Sequence, residues 1–154
     1  EMVLEEVRGN TLEINAIIDP GKAKYIRLKV LRANDMSEYT SVNFHREAGK
    51  DYANRSWNIR ESMVTLDPTF STLDSTVDIN EPQICNFHFN EGDLLEMRIF
   101  IDGSIVEVFV NNQSTCLTRV YPSSSDSIGF SIEARGKYAR CKKLQVWSMD
   151  RIFF

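Results

Sequence analysis

Between Leu94 and Pro122 the chain reads LLEMRIFIDGSIVEVFVNNQSTCLTRVYP, two alternating apolar runs on either side of Asp102-Gly103. No other stretch limits the fold so much, because Asp-Gly between strand-like runs is among the strongest short hairpin signals. A two-residue loop at Asp102-Gly103 pairs Ile101 with Ser104, Ile99 with Val106, Met97 with Val108 and Leu95 with Val110. That face is almost purely apolar and is expected to point into a core. The other face sets Phe100 against Ile105, Arg98 against Glu107 and Glu96 against Phe109, which brings Arg98 and Glu107 within reach of a cross-strand ion pair. A solvated sheet face would be polar throughout, and a fully buried one would not keep three charges. The mixture suits an interface between domains, so Glu96, Arg98, Phe100, Ile105, Glu107 and Phe109 are the expected docking residues. The competing reading folds Asp67–Pro82 over this face within the same domain.

The period of two recurs along the whole chain. In Thr11–Ile18, Leu12, Ile14, Ala16 and Ile18 share one side, and Asp19-Pro20-Gly21 ends the run in a turn. Lys24–Leu31 resumes the alternation, and the two segments are expected to pair antiparallel. Glu38–Arg46 (Thr40, Val42 and Phe44 inward), Ser62–Leu66, Gln83–Phe89, Thr115–Tyr121, Ser127–Ala134 and Tyr138–Met149 read as further strands. Asp67–Pro82, rich in Ser, Thr and Asp, is expected to be a loop over a sheet edge. No window shows a helical stripe. Around ten short strands separated by turns predict an all-β, two-sheet antiparallel β-sandwich, jelly-roll or concanavalin-like.

A chain of 154 residues fits one domain, here residues 1–154. A net charge of -4 offers no electrostatic footprint for nucleic acid. No apolar run approaches the roughly 20 residues that span a membrane. The start at Glu1 instead of a methionine reads as a mature, trimmed or excised chain. Cys85, Cys116 and Cys141 are too widely spaced for a zinc site, and the expectation is small buried apolar residues, with one bridge left open. Neither His45 nor His88 stands at ligand spacing, so no metal and no cofactor are expected. Asn54-Arg55-Ser56 and Asn112-Gln113-Ser114 match the glycosylation sequon, which matters only in a eukaryotic source.

The segment Ile101–Asn111, followed by Leu117-Thr118-Arg119-Val120-Tyr121-Pro122, resembles the C-terminal β-sandwich of glycoside hydrolase family 32, the invertases, levanases and inulinases. Such domains carry an aspartate, a Ser-x-Val-Glu-x-Phe strand and an Arg-Val-Tyr-Pro-like segment. Leu144–Met149 is similar to the family's last strand. Val64-Thr65-Leu66-Asp67 is a weaker match, and Pro68 stands where the family has an arginine, so nothing that depends on that arginine carries over.

The resemblance implies the non-catalytic C-terminal part of a longer fructan- or sucrose-cleaving enzyme, partnered by the N-terminal catalytic β-propeller of the same polypeptide. It further implies an extracellular or periplasmic location. Glycoside hydrolysis needs two facing carboxyl groups, which the family draws from Trp-Met-Asn-Asp-Pro-Asn-Gly, Arg-Asp-Pro and Glu-Cys motifs, and none of these is present. No catalytic residue is therefore assigned. Glu107 reads as a structural ion-pair member, not as an acid without its partner. The alternative function is an autonomous fructan- or other carbohydrate-binding module. Tyr52, Arg55 and Trp57 have the aromatic-plus-polar composition of a sugar platform, although a tryptophan at strand spacing also suits a core or an interface. A lectin-like sandwich for some other ligand shares the same fold.

Overall fold

The computed structural model describes residues 1–50 and 60–150. These form eleven strands: β1 (Met2–Val3), β2 (Thr11–Asp19), β3 (Tyr25–Arg32), β4 (Thr40–Lys50), β5 (Arg60–Asp67), β6 (Gln83–His88), β7 (Leu95–Asp102), β8 (Ile105–Val110), β9 (Ser114–Arg119), β10 (Gly129–Arg135) and β11 (Arg140–Ser148). They make a six-stranded sheet in the order β1-β10-β3-β4-β5-β6 and a five-stranded sheet in the order β11-β2-β7-β8-β9. Every pairing is antiparallel. The domain is an all-β sandwich.

The alternation explains why the sheets stack. Leu12, Ile14, Ala16 and Ile18 of β2 face Leu28, Val42, Phe44, Val64 and Leu66 of the other sheet, all buried, with Met97, Ile99, Val106 and Val108 beside them. Each of these side chains larger than alanine contributes about 1.5–3 kcal/mol when removed from water. Phe44, Phe87 and Phe89 close one end of the core with ring centroids 5.2–6.2 Å apart.

Three expectations about pairing are corrected. β2 and β3 do not pair; the turn between them crosses from one sheet to the other, and β2 lies instead between β7 and β11. An alternating strand shows which face is apolar but not which strand it meets. The central hairpin β7–β8 turns at Gly103-Ser104, one residue later than expected, and pairs Asp102 with Ile105, Ile99 with Val108 and Met97 with Val110. Gly103 has φ +57° and Ser104 is not in the left-handed region, the backbone of a type II′ turn with glycine first. The shift moves every partner by two positions, so the inward face is unchanged while each cross-strand neighbour differs. Arg98 thus opposes Phe109 and not Glu107. Cys141, expected to be buried, is exposed.

Cys85 and Cys116 do form a bridge, with Cα atoms 6.2 Å apart. It ties β6 to β9, the edge strands that end the two sheets on the same side of the sandwich. The loop after Asp67 runs toward that edge, where Asn80 Nδ2 donates to the Arg119 carbonyl at 3.0 Å.

Candidate functional site

The outer faces of the two sheets differ in kind. On the six-stranded sheet, the buried Asn43 amide is saturated. Its Oδ1 accepts from Tyr25 Oη and Arg27 Nε, both at 2.8 Å, and its Nδ2 donates to Ser41 and Thr65, both at 3.1 Å. Arg27 pairs with Glu133 at 3.4 Å. His45 packs edge-on to Tyr25, with its pKa lowered by burial and by the Arg27 charge. Glu133 Oε1 accepts no hydrogen bond, but the network centred on the Asn43 amide is complete in itself.

The outer face of the five-stranded sheet is not. Register sets two rows across all five strands. The first runs Trp147, Glu13, Phe100, Glu107, Leu117, and the second runs Gln145, Asn15, Arg98, Phe109, Thr115. All six docking residues expected from the hairpin lie on this one face. Arg98 turns toward β2 and not toward Glu107: its Nε donates to Glu13 Oε1 at 2.7 Å, and its guanidinium stacks over Phe100 at 5.2 Å. The hairpin register leaves Glu13 and Glu107 both opposite Phe100 and diagonal to Arg98, which pairs with Glu13. Glu107 has no ion pair or side-chain hydrogen bond among the described residues.

Phe100 and Phe109 meet edge to face, with centroids 5.9 Å apart, on one side of a depression of about 320 Å³. Asn15, Glu96, Arg98, Asn111 and Asn112 complete its lining. Four of the six expected residues therefore border the depression, while Ile105 and Glu107 lie outside it. Asn111 is a structural member of the rim, because its Oδ1 accepts from the Glu96 amide at 2.8 Å and its Nδ2 donates to the Leu94 carbonyl at 3.0 Å. No residue of the loop after Asp67 lines this depression. Tyr52, Arg55 and Trp57 lie outside the described residues.

Glu13, Asn15, Leu117 and Trp147 were not singled out from sequence. The outward alternation of Thr11, Glu13, Asn15 and Ile17 was visible, but nothing local shows that β2 borders β7. Among the described residues no helix is long and apolar enough to cross a membrane, and no group of three His, Cys, Asp or Glu could hold a metal.

Known proteins share this architecture. The family described as "Glycosyl hydrolases family 32 C terminal" matches residues 2–148. A levanase of Bacillus subtilis is 26% identical over 153 residues, which is 98% of this chain and 20% of that protein. The vacuolar acid beta-fructofuranosidase 4 of Arabidopsis thaliana is 33% identical over 100 residues, 62% of this chain and 14% of that one. In structure, fructan 1-exohydrolase IIa from Cichorium intybus superposes with a TM-score of 0.79 over 96% of this chain and 32% of its own, at 14% identity. The chain thus spans about a fifth of the levanase it matches. It belongs to the C-terminal domain family of the family 32 glycosyl hydrolases.

Proposed function

We propose that this domain is the non-catalytic C-terminal module of a fructan- or sucrose-hydrolysing glycosidase, and that it supports and docks on the catalytic β-propeller of the same polypeptide. The observation that carries this reading is the unfinished outer face of the five-stranded sheet. Leu117 is 52% exposed and Trp147 44% exposed, in one row with Phe100 and the unpaired Glu107. Exposed large apolar side chains gathered on one face mark interaction surfaces, and the relatives are several times longer than this chain. The docking half of the face is the part around Ile105, Glu107 and Leu117, away from the depression. The Cys85–Cys116 bridge persists only in an oxidising compartment, which supports an extracellular or periplasmic location.

Two measurements test this. Leu117→Ser should leave the melting temperature of the 154-residue chain nearly unchanged while weakening its association with a separately expressed propeller by about tenfold or more. A large loss of stability with association intact would show that the face is internal. The chain alone should release no fructose from sucrose, levan or inulin, since the carboxylate motifs are missing. Release that disappears on Glu107→Gln would overturn the non-catalytic assignment.

A further inference from the structure

We propose that the depression between Asn15 and Phe109 is a binding site for a neutral oligosaccharide, separate from the docking half of the same face. Its volume of about 320 Å³ lies at the lower end of the range for small-molecule pockets. One wall is aromatic. Phe109 is 37% exposed and is packed edge to face with Phe100, so the aromatic wall keeps a fixed orientation. The C–H face of a sugar ring is the natural partner of such a surface, and its hydroxyls then project toward the other walls.

Those walls carry unused hydrogen-bonding groups. Asn15 Oδ1 is buried and has no partner, a condition rare enough in folded proteins to need a cause. A turn of the Asn15 side chain, which lines the depression, brings this acceptor to a sugar hydroxyl and removes the cost of the orphan. Arg98 commits Nε and Nη2 to Glu13 and leaves Nη1 as a donor. The Glu96 carboxylate and the Asn112 amide also have no side-chain partner among the described residues. Hydroxyls can both donate and accept, so one ligand class meets all four.

The charge balance selects against an anion. Glu13 neutralises Arg98, and Glu96 adds a further negative charge. The rim is also ordered in advance: Asn111 and Asn112 sit in the left-handed region at φ +48° and +53°, the first pinned by both of its amide groups. Asparagine is the non-glycine residue that tolerates this backbone best. A rigid rim reduces the entropy lost when a ligand is held.

The test is an NMR titration of the 154-residue chain with 1-kestose and, in a second arm, with a levan trisaccharide. Saturable shifts are expected at the amides of Asn15, Glu96, Phe109 and Asn112 with at least one of the two sugars. Asn15→Ala and Phe109→Ala should each weaken binding by about tenfold or more. Asn15→Ala should leave the melting temperature unchanged or raise it, because it deletes an unsatisfied acceptor. Glu96→Gln, which keeps the shape, is a third arm in which the fold is not at risk. Leu117→Ser should bind sugar normally, so loss of docking and loss of sugar binding are read independently. Absence of saturable shifts with both sugars, or binding that survives Asn15→Ala, Phe109→Ala and Glu96→Gln alike, would overturn the proposal.

Discussion

Replacing Cys85 and Cys116 together by alanine is expected to lower the unfolding free energy by about 3–4 kcal/mol and the melting temperature by roughly 10 °C. The bridge joins residues 31 apart in sequence, and closing a loop of that length removes conformational entropy from the unfolded chain by about this amount in the chain-entropy account. Its location adds a second reason. β6 and β9 end their sheets on the same side, and among the described residues neither has a further strand to pair with. Both sulfurs belong to buried residues, at 2% and 6% exposure, so reduction also leaves two thiols facing each other in the core rim. The slope of stability against denaturant should rise slightly in the variant, since the unfolded chain becomes more expanded. Urea unfolding of the oxidised, reduced and double-alanine forms measures this. Equal stabilities within about 1 kcal/mol would show that edge packing, not the bridge, closes the sandwich.

The second large effect is expected at Glu38, a fully buried carboxylate in the loop before β4. It accepts from the Leu73 amide at 2.8 Å, the Ser123 amide at 2.8 Å, the Ser124 amide at 3.1 Å, the Ser127 hydroxyl at 2.6 Å and the Ser123 hydroxyl. One side chain thereby ties three loops together at the end of the sandwich nearest Gly103. Burial alone would raise its pKa, but the hydroxyls of Ser123 and Ser127, with the Ser123 and Leu73 amides, outweigh it and hold the group at about 2. The folded pKa lies below the unfolded one, so the stabilisation is complete above about pH 5 and drains as pH falls toward 2. At about 1.4 kcal/mol per pKa unit the full contribution is about 3 kcal/mol. Glu38→Gln should therefore cost about 3 kcal/mol or more near neutral pH, because an amide turns donors toward donors. The gap between wild type and variant should narrow by about 2 kcal/mol between about pH 6 and pH 3. Comparing the two proteins cancels the other carboxylates with lowered pKa values, Glu1, Asp35, Asp74 and Asp126. A pH-independent gap would mean that Glu38 acts by shape and not by charge.

Strand alternation determined, without any structure, which residues of this chain face the core. Side chains in a strand repeat every two residues, so Leu12, Ile14, Ile18, Val42, Phe44, Met97 and Val108 could be placed inward from the pattern alone. The same period explains why the error in the central hairpin was harmless to the core: a shift of two positions returns every side chain to its own face. It was not harmless to the surface, where Arg98 lost Glu107 and found Glu13. The Ser-x-Val-Glu-x-Phe strand with its Tyr-Pro segment was legible too, and it carried the family. What the tertiary structure alone decided is which strands are neighbours. β2 borders β7 although their paired residues, from Ile18 with Leu95 to Thr11 with Asp102, are far apart in sequence, and Glu38 meets Ser123 at a separation of 85 residues. Periodicity is a local property of the backbone, whereas pairing between distant strands is settled by the whole core at once. The depression, built from residues of β2, β7, β8 and the turn that follows, belongs to that second kind of information.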